Sequence, residues 1–369
     1  MRLQFFIPSL TGGGAERVLS LISDELVNRG HIINIVITNR EVSYNLNDKI
    51  ILSCIKDVRH SVEGGFFRKT FIRAGNYIRY KKQACSEIKR FRPDLIVTFM
   101  ESQMIPILLS HGSAPIVSSE HNTMSRNLGR AIYFQRFFLN KFFDKVTVLT
   151  SYDKEYAIKK GLKKTVVINN PLTYKPIGDE EYERLFGKRK NILACGRINS
   201  WEVKGFDLLI KSFALLAKKV SNVELDIVGA GEDKDINHLK ELASEQGVSE
   251  RVNFLGFRND IDSLMKSHSV FVLSSRAEGF GMVLIEAMSQ GLPCVSFALP
   301  GPREIIQEGI DGLLVEEQNC DKMAESIGQM LGSEELRYRM GNNGVKNVGR
   351  FSLGTITNQW EQVFNELVR

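Results

Sequence analysis

Short apolar runs, rich in β-branched and aromatic residues, alternate along the chain with segments of helical periodicity. In the first half the predicted strands are Leu3–Ser9, Ile33–Thr38, Ile50–Ile55, Asp94–Met100, Pro115–Ser119, Lys145–Leu149 and Thr165–Ile168. In the second half they are Asn191–Gly196, Val223–Val228, Val252–Leu255, Val270–Leu273, Pro293–Phe297 and Gly312–Val315. Continuous apolar strands separated by helices are typical of parallel sheets covered on both faces. Two such series predict an α/β fold with two doubly wound parallel-sheet domains.

The 369 residues fit two domains, and the strand pattern breaks once between them. We assign residues 1–170 to an N-terminal domain and residues 191–352 to a C-terminal domain. Residues 171–190 hold two prolines and many charges and are interpreted as a linker. Residues 353–369 are expected to form a helix that packs back on the N-terminal domain. Doubly wound sheets bind ligands beyond the carboxyl ends of their strands, so two facing domains would hold a ligand in the cleft between them.

The composition indicates the cellular compartment in which the protein is expected. No stretch approaches the roughly 18 apolar residues of a membrane span. The chain runs from Met1 directly into a predicted strand, so we expect neither a spanning helix nor a cleavable signal. The five cysteines are widely spaced without a CxxC pair, which favours a reducing cytoplasm over a disulfide framework or a structural zinc site.

Charge is distributed unevenly between the two halves. Residues 1–170 hold 26 Lys and Arg against 14 Asp and Glu, a net of +12, whereas the remainder holds 23 against 29, a net of −6. A predicted helix at 66–92 carries nine Lys and Arg and one acid, interleaved with aromatic residues, and a second aromatic and basic stretch follows at 130–138. Such helices suit an anionic membrane surface. The alternative is one core-packed face and one solvated face, and no recognised nucleic-acid motif accompanies the basic residues.

Three glycines, Gly12, Gly13 and Gly14, follow the first predicted strand and open a helix. Glycines there permit close approach of a ligand, and we expect free N–H groups that could hold phosphate or sugar oxygens. A tight strand-to-helix turn is an equal alternative. Neither a full GxGxxG nor a Walker lysine is present, because Arg17 occupies the last glycine position.

Cations and carboxylates follow strands of the second domain. Arg197 closes its first strand and Lys204 lies seven residues on, a pair that could bind a diphosphate, although a strand-end Arg alone is more often simply solvated. Glu278 and Glu286 flank a Gly-Phe-Gly turn that opens a helix directly after the strand 270–273. Glu286 falls in an apolar helix, so it should have a polar partner.

A histidine and further glycine turns also follow strands. His121 lies just past the strand ending at Ser119, where a structural histidine is the alternative to a functional one. Turns at 228–232 and 254–258 fit either tight geometry or backbone recognition of a nucleotide. The DxD sequences at 233–235 and 260–262 open charged helices, so we interpret them as solvated carboxylates rather than metal ligands.

Taken together, these motifs resemble the retaining glycosyltransferases of family 4, which have the two-domain GT-B fold of two Rossmann-like domains facing across a cleft. The resemblance spans the chain. It rests on GGGAER at 12–17, SEHN at 119–122, NNP at 169–171, GR and KG at 196–205, IVGAGE at 227–232, FLG at 254–256, the two glutamates of 278–286, and GPREII at 301–306.

The resemblance implies roles for individual positions. Arg197 and Lys204 would neutralise the donor diphosphate, Glu278 would bind hydroxyls of the donor sugar, and Glu286 would hold the ribose. His121 would contact the donor sugar near the reaction centre, which makes His121 and Glu278 the candidate catalytic residues. The implied nucleotide-sugar site comprises Gly13, Gly14, Arg197, Lys204, Gly256, Phe257, Arg258, Gly279, Phe280, Gly281, Met282, Val283 and Glu286.

The resemblance also implies an activity. We expect transfer of a hexose or N-acetylhexosamine from a nucleotide sugar, a UDP-sugar by resemblance, to a lipid-linked saccharide in surface polysaccharide or glycan synthesis, with an α-linkage formed and no metal or cofactor. The expected location is the cytoplasmic face of the membrane, bound peripherally. The alternatives are a nucleotide-sugar epimerase of the same fold and an NAD-dependent oxidoreductase, the latter disfavoured by the missing GxGxxG.

Overall fold

The computed structural model describes residues 1–55, 66–99, 104–126, 129–188, 190–316 and 318–368, with the backbone alone at 66–77 and 190. The chain divides into two compact units. Unit 1 consists of Met1–Pro171 together with Leu353–Arg369, and unit 2 is Leu172–Ser352.

Unit 1 is built on a seven-stranded parallel sheet. Its strands are β1 (Arg2–Phe6), β2 (Ile32–Ile37), β3 (Ile51–Cys54), β4 (Leu95–Phe99), β5 (Ile116–Ser119), β6 (Lys145–Val148) and β7 (Thr165–Val167). The spatial order is β3-β2-β1-β4-β5-β6-β7, so the order reverses between β1 and β4. The helices that connect these strands are α1 (Gly14–Asn28), α2 (Phe66–Phe91), α3 (Met104–Leu108), α4 (Arg130–Phe137) and α5 (Ser151–Lys159).

Unit 2 has a six-stranded parallel sheet of the same kind. Its strands are β8 (Lys190–Cys195), β9 (Leu225–Val228), β10 (Val252–Phe254), β11 (His268–Leu273), β12 (Cys294–Phe297) and β13 (Gly312–Val315). The order is β10-β9-β8-β11-β12-β13, so it reverses between β8 and β11. The helices are α6 (Asp179–Phe186), α7 (Trp201–Lys204), α8 (Phe206–Ala217), α9 (Asp233–Glu245), α10 (Ile261–Ser267), α11 (Met282–Ser289), α12 (Pro300–Ile305), α13 (Cys320–Gly332) and α14 (Glu334–Asn347).

The predicted fold class is confirmed, because every predicted strand overlaps an observed one and all pairings are parallel. The boundaries differ by at most three residues, and several predicted strands end too late because the turn residues that follow them continue the apolar pattern. Met100, predicted to end the fourth strand, lies outside the described residues. Among those described, no helix is both long and apolar enough to cross a bilayer.

Part of the segment interpreted as a linker is folded against unit 2. The helix α6 buries Tyr182, whose hydroxyl donates to the carbonyl of Tyr338 at 3.0 Å. The N–H of Ile177 also bonds to the carbonyl of Ser289 at 2.8 Å. The apolar positions of this segment are few and lie among charges, so its packed face is hard to recognise in the sequence.

The last helix, α15 (Leu353–Leu367), belongs to unit 1. Its Trp360 is 3% exposed and stacks on Phe99 at the end of β4, with ring centroids 6.3 Å apart. Glu361 accepts a charge-assisted hydrogen bond of 2.6 Å from Arg29, which follows α1. The apolar and ionic contacts together hold α15 against the first unit.

The basic helix α2 has a core-packed face in the part whose side chains are described. Tyr80, Ala84 and Ile88 recur every four residues and are buried in one cluster with Phe6. Lys82 and Lys89 are exposed. This arrangement agrees with the simpler alternative for the helix, and it leaves a positively charged solvent face.

Candidate active site

The strand order of unit 2 reverses between β8 and β11, and charged residues lie at the carboxyl ends of both strands. Lys204 ends α7, and its Nζ lies 2.9 Å from Oε2 of Glu278, which follows β11. Ser275 donates a hydrogen bond of 3.3 Å to the same carboxylate oxygen. Arg197 follows β8 and is exposed. The structure therefore brings together residues that the sequence analysis assigned to a diphosphate and to a sugar.

The turn after Lys204 fits tightly against the end of β11. Gly205 has φ +66°, and a Cβ there would lie 1.9 Å from the carbonyl oxygen of Ser274. The Ser274 hydroxyl in turn donates to the Lys204 carbonyl at 3.0 Å. Only glycine permits this approach, and the approach fixes the position from which the Lys204 side chain extends.

An ion pair that the sequence analysis missed stabilises the same junction. Both terminal nitrogens of Arg276 donate to the carboxylate of Asp207, at 2.6 and 2.7 Å. Burial acts to raise the pKa of Asp207, but the hydrogen bonds and charge of Arg276 outweigh it and hold the pKa below its ordinary value. The N–H of Arg276 also bonds to the carbonyl of Val203 at 2.8 Å. No local motif signals this pairing, because the partners are far apart in sequence.

The second glutamate of the motif is buried in α11. Glu286 is 5% exposed, and the hydroxyl of Thr173 donates to its Oε1. This confirms that Glu286 has a polar partner. Burial and the nearby Glu286 carboxylate both raise the pKa of the Cys195 thiol, so this cysteine stays protonated and uncharged.

The glycine turn that opens α11 is shaped by close packing. Gly281 is the residue before the helix and has φ +101°. Phe280 is buried and packs edge-on against Phe351, while its carbonyl oxygen lies 2.3 Å from the place of a Cβ on Gly301. The Phe280 side chain is thus part of the core, and Gly279, Met282 and Val283 are partly exposed beside it.

The glycine turns at 228–232 and 254–258 follow β9 and β10, and the first of them packs against the residue that follows β8. A Cβ on Gly229 would lie 1.7 Å from the carbonyl oxygen of Gly196, and the N–H of Gly229 bonds to the carbonyl of Gly256 at 2.9 Å. Phe257 is 72% exposed, which leaves its ring accessible for stacking. Arg258 pairs with Asp260 through two hydrogen bonds of 2.8 and 2.6 Å.

In unit 1, the expectation of free N–H groups in the glycine loop is wrong for two of the three glycines. The carboxylate of Glu16 accepts the N–H groups of Gly12, at 2.8 Å, and of Gly13, at 2.5 Å. It also accepts the hydroxyl of Ser9. The reason is a capping interaction, in which the third residue of α1 reaches back to the amides that precede the helix.

His121 lies beyond the end of β5 and is held by two neighbours. Its Nε2 is 3.0 Å from Oγ of Ser119, and its ring stacks on Phe99 with centroids 4.9 Å apart. Burial lowers the pKa of His121 from 6.5 to about 4, so the imidazole is neutral near pH 7. Its Nδ1 has no hydrogen-bond partner among the described residues.

The structure contradicts the expectation that Arg136 lies on a basic surface. It belongs to the stretch interpreted as a basic surface, yet it is 1% exposed and its Nε lies 3.3 Å from Oε2 of Glu120, which is equally buried. Asn140 donates to the other oxygen of Glu120 at 2.9 Å. Arg136 and Asn140 are four residues apart, a spacing that allows both side chains to reach one buried partner.

Carboxylates of the DxD sequences occupy the first turns of α9 and α10. Within the part of the chain that the structure describes, no three His, Cys, Asp or Glu side chains form a group suited to a metal ion. The role of metal ions in the reaction stays a prediction.

Two family models match the chain in succession. Glycosyltransferase Family 4 matches residues 12–173, and Glycosyl transferases group 1 matches residues 179–347. Among curated relatives, the amylovoran biosynthesis glycosyltransferase AmsD of Erwinia amylovora is 26% identical, over 96% of both chains.

Another relative, from Campylobacter jejuni, is 24% identical over 100% of this chain and 99% of its own. It is named GalNAc-alpha-(1->4)-GalNAc-alpha-(1->3)-diNAcBac-PP-undecaprenol alpha-1,4-N-acetyl-D-galactosaminyltransferase. Among solved structures, Anabaena HepE in complex with UDP and glucose has a TM-score of 0.79, with 22% identity and full coverage of both chains. The two successive family matches agree with the structure, in which both sheets are parallel and doubly wound and charged residues lie at the strand ends of unit 2. The chain belongs to the family 4 glycosyltransferases and has the GT-B fold.

Proposed function

We propose that this glycosyltransferase transfers a hexose or N-acetylhexosamine from a UDP-sugar to a lipid-linked saccharide and retains the anomeric configuration, forming an α-linkage without a metal ion. The observation that carries the proposal is the ion pair of Lys204 and Glu278 at the strand-order reversal of unit 2, where Arg197 also follows β8. In doubly wound sheets this is where ligands bind.

The Lys204–Glu278 pair is suited to exchange partners when a donor binds. Lys204 and Glu278 side chains are 25% and 16% exposed, so both can reach a ligand while neither charge is left unpaired in its absence. In the proposed complex Lys204 and Arg197 contact the diphosphate, and Glu278 accepts hydrogen bonds from sugar hydroxyls. Because the leaving diphosphate gains charge in the transition state, fixed cations lower the barrier more than they stabilise the ground state.

The remaining residues complete the proposed nucleotide site. Glu286, held by Thr173, accepts hydrogen bonds from the ribose. The turn at Gly256–Arg258 frames the base, with the exposed ring of Phe257 available for stacking. Backbone N–H groups at the start of α11 assist with the sugar and phosphate oxygens. In unit 1, His121 has a neutral imidazole, and the donor contacts of His121, Gly13 and Gly14 that the resemblance implies stay predictions.

The relatives support the kinds of substrate. HepE was crystallised with UDP and glucose, and the name of the Campylobacter enzyme specifies an undecaprenol-linked acceptor. The net charge of +12 on residues 1–170 favours an acceptor presented at an anionic membrane, and we propose that the enzyme associates peripherally with its cytoplasmic face.

The first experiment is a thermal-stability titration of the purified protein with UDP-, GDP- and ADP-sugars, in the presence of a chelator. A ligand at 100 times its Kd stabilises the folded state by about 2.7 kcal/mol. We expect a shift in Tm with UDP-sugars that is lost in Arg197→Ala. Equal shifts with all nucleotides, or a shift only with added metal, would contradict the proposed donor or the metal independence. Product analysis by NMR of the anomeric proton then tests retention.

A further inference from the structure

The segment formed by α4 and the following 3₁₀ turn, Leu139–Phe142, has two chemically different faces. Phe134, Phe138 and Phe142 recur every four residues and are 50%, 46% and 60% exposed. Their rings form a ladder, with centroids 4.7 Å apart for the first pair and 5.7 Å for the second. Arg136 and Asn140, on the opposite face, are buried. We refer to Phe134, Phe138 and Phe142 as the aromatic ladder.

Three neighbouring phenylalanines that remain half exposed are unusual for a solvated surface, since contiguous apolar patches mark interaction sites. The surroundings of the aromatic ladder indicate the partner. Residues 129–164 hold nine Lys and Arg and three Asp and Glu, and of these Lys141, Lys159 and Lys160 are exposed. Aromatic rings flanked by cations match the interface of an anionic bilayer, where rings lie at headgroup level and cations contact lipid phosphates.

The inner face of the same segment holds the residue next to His121. Arg136 and Asn140 contact the two carboxylate oxygens of Glu120, at 3.3 and 2.9 Å. The N–H of Glu120 bonds to the carbonyl of Thr147 in β6 at 2.9 Å. Glu120 is thus fixed between the sheet and the segment that carries the aromatic ladder. A buried ion pair is costly to break on one side only, so we expect Glu120 to stay bound to Arg136.

We propose that the aromatic ladder docks unit 1 into the interface of an anionic membrane, and that Arg136 is a positioning residue that ties the docked segment, through Glu120, to His121. The inference rests on the proposed function at a membrane and names the surface involved. It places docking on α4 and the 3₁₀ turn rather than on the basic helix α2. Membrane contact then orders the segment 119–123 that contains His121.

The docking surface is tested by sedimentation of the full-length protein with vesicles of phosphatidylglycerol and phosphatidylethanolamine, against vesicles of phosphatidylcholine. The triple variant Phe134→Ser, Phe138→Ser, Phe142→Ser should bind anionic vesicles at least about tenfold more weakly than wild type. The matched control replaces three exposed apolar residues elsewhere, Ile32→Ser, Ile51→Ser and Ile310→Ser, and should bind within about twofold of wild type.

Equal loss in both triple variants, or undiminished binding of the first, would overturn the docking surface. Light scattering in solution tests whether the aromatic ladder is instead a self-association surface. That would be the result if the wild type is a dimer, the aromatic triple variant is a monomer, and the variant still binds vesicles. The UDP-sugar titration is independent of vesicles. If the aromatic triple variant loses vesicle binding but keeps the Tm shift with UDP-sugar, the aromatic ladder acts in docking and not in donor binding. If the wild type shows no Tm shift with any UDP-sugar, only the proposed donor site is contradicted.

The positioning role is tested by hydrogen–deuterium exchange of the segment 119–123, with and without the anionic vesicles. In wild type we expect exchange to slow several-fold when vesicles are added. The double variant Glu120→Gln, Arg136→Met removes both charges together, which avoids a stranded buried charge. It should still bind vesicles but lose the vesicle-induced protection. Retained protection in a folded double variant would refute the positioning role.

Discussion

Lys204 and Glu278 are 74 positions apart in sequence, yet their side chains form an ion pair with an N–O distance of 2.9 Å. Each follows a strand, and the two strands are neighbours where the sheet order reverses. The topology therefore places a cation and a carboxylate at one point without any local motif to join them. In the proposed function, this pair separates to bind the diphosphate and the sugar of the donor.

We expect Lys204→Ala and Glu278→Ala each to lower kcat/KM by at least about tenfold, a change of about 1.4 kcal/mol in transition-state stabilisation. The reason is that each variant loses its own contact with the donor and leaves the other charge without its partner. The measurement is steady-state kinetics with the UDP-sugar identified by the thermal titration.

The chain offers a matched control for this experiment. Lys266 and Glu181, also in unit 2, form a comparable ion pair of 3.0 Å that has no part in the proposed site. Lys266→Ala should leave kcat/KM within about twofold, because the pair lies outside the proposed site. Its loss should also leave the protein folded, since partly exposed pairs contribute about 1 kcal/mol or less to stability. Near-wild-type rates in the Lys204 and Glu278 variants would remove both residues from the site.

The tight turn at Gly205 gives a prediction about stability. Alanine at position 205 combines φ +66° with a Cβ 1.9 Å from a backbone oxygen, so Gly205→Ala should destabilise unit 2 by more than about 3 kcal/mol. Gly309 has a similar φ of +73° but open space around it, so Gly309→Ala should cost about 1 kcal/mol from the backbone alone. Urea unfolding followed by the fluorescence of Trp201 compares the two; equal losses would contradict the steric explanation.

The fold could be predicted from the sequence because strands buried on both faces leave continuous apolar runs. The features that the sequence does not predict also have physical explanations. The sequence pattern does not predict α6, because its packed residue Tyr182 lies among charges. Some predicted strands end too late, because an apolar turn extends the pattern of the strand. Contacts between distant positions, such as Arg276 with Asp207, leave no trace in local spacing.

Site residues could be proposed from their position after strands, but not their partners. The spacing of Gly13 and Glu16 fits a helix-capping interaction, and it is the sequence signal for the two glycine amides that Glu16 accepts in the structure. Composition places Arg136 at the surface, whereas in the structure it faces inward because it and Asn140 both reach the buried carboxylate of Glu120. Thr173 could not have been found, since nothing in the sequence relates it to Glu286.

Trp360 provides a prediction about how α15 stabilises unit 1. It is buried against Phe99, the residue on which His121 also stacks. Trp360→Ala should destabilise unit 1 by about 3–5 kcal/mol through the cavity it leaves. Trp201 of unit 2 is only partly buried, and Trp201→Ala should cost clearly less. Thermal unfolding by circular dichroism provides the measurement, and a loss no larger than that of the Trp201 variant would contradict the proposed role of α15.

His121 gives a prediction about pH. Burial holds its pKa at about 4 in the folded protein, against 6.5 for the ordinary group. As the pH falls below 6.5 the unfolded chain takes up a proton that the folded protein takes up only near pH 4. The folded state of the wild type should therefore lose about 3 kcal/mol between pH 7 and pH 4, and His121→Gln should not show this component.

The measurement is urea unfolding at a series of pH values, followed by Trp360 fluorescence in a Trp201→Phe background. Trp360 reports on unit 1, because it stacks on the same Phe99 as His121. The exposed His238 of unit 2 serves as the control, and His238→Gln should keep the wild-type pH dependence. Parallel curves for wild type and His121→Gln would mean that His121 takes up its proton at the same pH in the folded and the unfolded protein, which would contradict the lowered pKa of the folded state.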